Sequence, residues 1–105
     1  MNQNNLYSLL DLIRERPQLY IGDQNFSTLY NNINGYQLYC LNNDIEENLS
    51  PKWNEFHDFV AIQLNYTEST SGYKNMILEQ NDFNELKSFN MFYELLGKFR
   101  KNKAQ

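Results

Sequence analysis

The stretch Asp82–Phe99, DFNELKSFNMFYELLGKF, decides the fold. Phe83, Leu86, Phe89, Phe92, Tyr93, Leu96 and Phe99 recur at intervals of three and four. That spacing puts them on one face of an α-helix, whereas a strand would need alternation. Asp82-Phe83-Asn84-Glu85 has the form of a capping box with Asp in place of Ser or Thr, so the helix should open there. Lys98, Arg100, Lys101 and Lys103 crowd its other end, where cations complement the helix dipole. A face this rich in aromatic rings must be covered, and the rest of the chain is short enough only to wrap around it.

Working outward, the other apolar segments share the helical period. Leu6, Leu9, Leu10 and Ile13 fall at i, i+3, i+4 and i+7, with Asn5 placed to cap and Pro17 ending the helix by Glu15 or Arg16. Arg16–Gly22 then reads as a loop in which Arg16 ties down the chain, Tyr20 and Ile21 plug the core and Gly22 takes a positive φ. A second helix should start at the N-cap Ser27 and run to about Asn43, with Leu29, Tyr30, Ile33, Tyr36, Cys40 and Leu41 inward. Gly35 inside it marks either a close backbone approach or a kink. Ser50-Pro51 reads as N-cap and first turn of a third helix carrying Trp53, Phe56, Phe59, Val60 and Leu64. A short helix with Tyr73, Met76 and Ile77 inward follows the hydroxyl-rich connection Asn65–Gly72. β-branched residues are sparse, and Val occurs once. The expected fold is therefore all-α: a compact single domain over residues 1–105, of about five helices, with frayed ends at about 1–4 and 102–105.

Composition bounds the function. At 105 residues and 41% hydrophobic the chain builds one modest core. No run approaches the ~20 apolar residues of a membrane span. The opening MNQNNLYSLLDLIRERP lacks a basic start and a continuous apolar stretch, so it does not read as a secretory signal. One cysteine, Cys40, excludes an internal disulfide and suits the reducing cytoplasm. One histidine and one cysteine make no metal site, and neither a metal nor any other cofactor is expected. The net charge of −4 argues against nucleic acid as a partner.

Candidate chemistry is thin. His57 could work with Asp58 or Glu68 in a small hydrolase, but neighbours on a helix do not face one another, and no Gly-x-Ser-x-Gly turn surrounds Ser69 or Ser71. Cys40 on an apolar stripe reads as a small buried hydrophobe. Tyr66–Tyr73 reads as a capping and turn segment, or, if functional, as a protein contact. The carboxylates carry more. From Asp44 to Asp82 there are eight acids against Lys52 and Lys74. Either they form a solvated face, or they form a docking surface that steers a basic protein toward the chain. On the second reading the partner-binding residues are Asp44, Glu46, Glu47, Glu55, Asp58 and Glu68, and no residue is catalytic.

Two resemblances bear on function. Ile13–Asp23, IRERPQLYIGD, looks like the Arg-Pro-x-x-Tyr-Ile-Gly stretch of type II topoisomerase ATPase domains, but the Glu-x-x-x-Asn and Asp-x-Gly-x-Gly elements of that site are absent. The wider pattern is Arg16–Gly22, Gly35-Tyr36, Phe56-His57-Asp58-Phe59-Val60, Tyr66–Tyr73 and Phe92–Phe99. It resembles a group of small bacterial immunity proteins of polymorphic-toxin and contact-dependent growth inhibition systems. The likeness spans about Leu6 to Arg100, with Tyr73 where such proteins often have Trp and Leu19 where they often have Met. It implies a cytoplasmic monomer that binds a cognate toxin 1:1, the expected toxin being a nuclease with a basic substrate site. It supplies no catalytic residues. The rival reading is an acidic adaptor or regulatory binding module.

Overall fold

The computed structural model describes residues 5–67 and 72–103, and it is all-α. Six helices follow in order among these residues: α1 (Leu6–Glu15), α2 (Pro17–Tyr20), α3 (Phe26–Asn42), α4 (Phe56–Gln63), α5 (Tyr73–Gln80) and α6 (Glu85–Lys103). A 3-10 turn, Trp53–Glu55, leads into α4. Five helices have eight residues or more, as the periodicity predicts. The Cα radius of gyration is 13.7 Å, near the ~13 Å of a compact domain this long.

α6 is the centre of the bundle. Its nineteen residues span about 28 Å at 1.5 Å each. Phe89, Phe92, Tyr93, Leu95, Leu96 and Phe99 are buried against α3, α4 and α5. Phe56 is the hub of the aromatic core: Trp53 stacks on it at 4.8 Å, and Tyr73, Phe92 and Phe99 meet it edge-on at 5.2–5.4 Å. Each such pair adds about 0.5–1.5 kcal/mol beyond the area it buries. α1 closes one side. Tyr93 Oη donates to the Leu10 carbonyl at 2.7 Å, and Arg100 pairs with Asp11 at 2.8 Å while its guanidinium lies over the Tyr7 ring. Asn5 and Ser8 form a reciprocal capping box at the start of α1.

Several local expectations are corrected. Arg16–Gly22 is not a loop: Pro17, pre-set for helical φ, starts the one-turn helix α2. One turn cannot point three apolar side chains the same way, so Ile21 packs on the core while Leu19 and Tyr20 are exposed. Gly22 does take φ +87°. α3 starts at Phe26 rather than after a Ser27 cap. The N–H and Oγ of Ser27 both donate to the Glu85 carboxylate at 2.7 Å, so an acid on α6 serves the exposed amides that a local cap would otherwise satisfy. Glu85 is thus not part of a box with Asp82; α6 is capped by Asn84, whose Oδ1 accepts from the Lys87 N–H at 2.8 Å. Ser50-Pro51 does not begin a helix either. Pro51 is buried, and its carbonyl accepts from Tyr7 Oη. Asn102 and Lys103 complete α6. Gly35 is not a close approach: α3 runs through it, and a Cβ there would meet nothing within 4 Å.

Three helices end without glycine in the same way. After α3, Asp44 takes φ +54°, its N–H donates to the Leu41 carbonyl, and the Ile45 N–H donates to the Cys40 carbonyl at 2.8 Å. Asn65 after α4 and Asp82 after α5 repeat the arrangement, with Tyr66 donating to Ala61 and Phe83 to Leu78. This is the Schellman cap, with Asn or Asp in the left-handed position that glycine usually fills. Phe83 follows Asp82 into the same region at φ +61° and is 63% exposed, not inward as its spacing suggests; Leu86 is exposed beside it in sequence.

Candidate functional site

A groove of about 670 Å³ lies between the C-terminal half of α3 and the connection that follows it. The Schellman cap shapes one wall. It reverses the chain at Asp44 and brings Ile45 back along α3, so that Cys40, Leu41 and Ile45 all line the groove. Trp53 and Leu49 supply apolar surface from the other side, with Lys52 and Asn54 among the polar lining. Cys40 is a buried free thiol, as expected of a lone cysteine on an apolar stripe.

Glu47 fixes the connection to the body of the protein. One carboxylate oxygen accepts from the Leu6 N–H at 3.1 Å, and the other accepts from Tyr36 Oη. Leu6 is the first residue of α1, so the carboxylate meets an unsatisfied amide at the positive end of a helix. The Tyr36 phenol is pushed well above its ordinary range, first by desolvation and then by its bond to Glu47.

The predicted partner-binding acids divide on this geometry. Glu46 and Glu47 line the groove, and exposed Asp44 sits at the cap beside it. Glu47 is half-buried and engaged inside the molecule, which gives it a structural task the sequence did not show. Glu55 and Asp58 stand three residues apart at the start of α4, exposed and outside the groove lining. Glu68 lies outside the described residues. Among the described residues Asp44, Glu46 and Asp58 form no ion pair; the pair found is Arg100–Asp11, on α6 and α1. No family model, curated protein or solved structure matches the chain.

The apolar rim was not anticipated. Leu41, assigned to the core stripe from its spacing, is 73% exposed, and Leu38 and Ile45 are 59% and 42% exposed. The stripe of α3 that is buried runs through Phe26, Leu29, Ile33 and Cys40. Leu38 and Leu41 form a second set at i and i+3 on α3, legible as a second face had the first been drawn narrowly, whereas Ile45 joins them only because the cap folds the chain back. His57 is half-buried on α4 and lines neither this groove nor the smaller cavity beside Asn5, Asp11 and Arg100. Among the described residues no group of three or more His, Cys, Asp or Glu side chains is disposed to hold a metal ion, and no helix is long and apolar enough to cross a membrane.

Proposed function

We propose that this chain is an immunity protein, which acts in the cytoplasm, binds one copy of a cognate toxin and occludes its basic substrate site. The favoured toxin is a nuclease, because a nuclease must hold phosphates in a positive groove and an acidic protein competes for that groove. The observation that carries the reading is the excess of negative charge between residues 44 and 58. Five carboxylates stand there against the single Lys52, and Asp44, Glu46 and Asp58 are exposed without an ion-pair partner among the described residues. Such a surface speeds association with a positive partner, most strongly at low salt. The motif pattern running from Arg16 to Phe99 supports the same reading.

The test is direct. The product of the open reading frame immediately upstream is purified, and its binding and its nuclease activity are measured with and without this protein. Tight binding and loss of nuclease activity are expected. The combined substitution Asp44→Gly, Glu46→Gln and Asp58→Asn should slow association about tenfold or more at low salt and much less at high salt. Glycine suits the positive φ at residue 44, so the charge is removed there without cost to the cap. Absence of both binding and inhibition overturns the proposal.

A further inference from the structure

We infer that the groove beside α3 seats an apolar segment flanked by lysine or arginine, contributed by the partner protein. The inference rests on the toxin-binding reading and names the docking surface and the chemistry of what enters it.

Three features of the groove select such an occupant. Its walls present Leu41, Ile45, Leu49 and Trp53, so an aliphatic or aromatic side chain is favoured inside. Leu38 extends the apolar strip one turn further along the outside of α3. An exposed leucine by itself is ordinary; a row of them continuous with a concave apolar floor marks a contact surface. The charge also leans negative, since Glu46, Glu47 and the neighbouring Asp44 outnumber Lys52 of the lining. Glu47 is spent on the Leu6 amide and the Tyr36 phenol, whereas Glu46 is exposed in the lining and Asp44 lies next to it at the cap. A cation beside the apolar anchor would meet Glu46, with Asp44 two residues before it, and the net negative balance over Lys52 disfavours an acidic segment. Apolar centre and charged rim together follow the anatomy of energetically strong protein contacts. Leu38, Leu41 and Ile45 thereby become the anchors of the interface, while the carboxylates orient and accelerate.

Trp53 is the only tryptophan in the chain and lines the groove, so its emission reports occupancy without a label. Two twelve-residue peptides serve as probes: one with two leucines flanked by lysines, the other with glutamate in place of every lysine. The full-length protein should show a saturable change in Trp53 emission with the lysine peptide and none with the glutamate peptide. Leu41→Ser, at a position too exposed to disturb the fold, should weaken the lysine peptide at least tenfold, and Glu46→Gln should weaken it and flatten its salt dependence. No saturable change, an equal response to both peptides, or unchanged binding by Leu41→Ser overturns the inference. The same variant separates this inference from the functional reading. A toxin inhibited equally well by wild type and Leu41→Ser leaves immunity standing and removes the groove. Peptide binding without any effect on the upstream gene product does the reverse.

Discussion

Replacing Glu47 with alanine should destabilise the protein by about 2 kcal/mol, although the side chain lies at the surface of a groove. The magnitude follows from its two contacts. A hydrogen bond that involves a charged group contributes about 1.5–3 kcal/mol when fully buried. Glu47 accepts two, from the Leu6 N–H and from Tyr36 Oη, and the first lies at a helix N-terminus. Half-burial lets water recover part of the loss, which brings the total down to about 2 kcal/mol. For a domain of this length that corresponds to a Tm lowered by roughly 8–12 °C, and with m near ~1.5 kcal/mol/M, to a urea midpoint lowered by roughly 1 M. Urea titration followed by Trp53 fluorescence measures it. Glu47→Gln, which keeps the shape and one acceptor, should lose about half as much. A cycle with Tyr36→Phe should show a coupling of about 0.5 kcal/mol or more, since the two side chains share one bond. A loss under 0.5 kcal/mol for Glu47→Ala, or no coupling to Tyr36, would refute the structural assignment and return Glu47 to the carboxylates that face a partner.

Ser88 is wholly buried on α6, and its Oγ has no hydrogen-bond partner among the described residues; Ser88→Ala should therefore raise stability by about 1 kcal/mol in the same urea assay, and a loss would show that the hydroxyl is satisfied. Stability should also fall in alkali: burial raises the phenol of Tyr7 to about 12 and pushes those of Tyr36, Tyr73 and Tyr93 above their ordinary 10, so the folded state holds protons that the unfolded chain releases. That contribution is fully present below pH 10 and is lost as the pH climbs toward 12; an unfolding midpoint unchanged between pH 9 and 11.5 would contradict it.

The sequence revealed helices more readily than helix ends. Period and apolar content report one helix at a time, and α1, α3 and α6 have enough turns for the pattern to stand out. A local cap can be displaced by a partner far along the chain. Ser27 reads as a cap because it can be one, but Glu85, 58 residues away, takes its hydroxyl. Glu85 in turn reads as the closing member of a capping box, and Asn84 holds the cap instead. The left-handed positions at Asp44, Asn65 and Asp82 were missed for a related reason. Glycine advertises a C-cap, whereas Asn and Asp occupy it at modest cost and look like ordinary polar residues.

The same limit explains what was legible of the site. Charge is counted without coordinates, so the acidic run from Asp44 to Asp58 was visible at once. Which carboxylates remain available was not, because the reach of Glu47 to Leu6 crosses 41 residues. The structure shifts the weight of the argument from charge to shape. Acids spread over a surface keep a protein soluble and need no further explanation. Acids beside an apolar groove are different, because water there is displaced only by a ligand that satisfies both. Asp44 links the two. Its left-handed backbone turns Ile45 onto the groove wall, and it carries an exposed negative charge next to Ile45 in the chain. Asp44→Gly keeps the turn and loses the charge. A partner that still bound Asp44→Gly well but failed on Leu41→Ser would be held mainly by the groove, with charge serving the approach; the opposite pattern would make the acidic run the interface and the groove incidental.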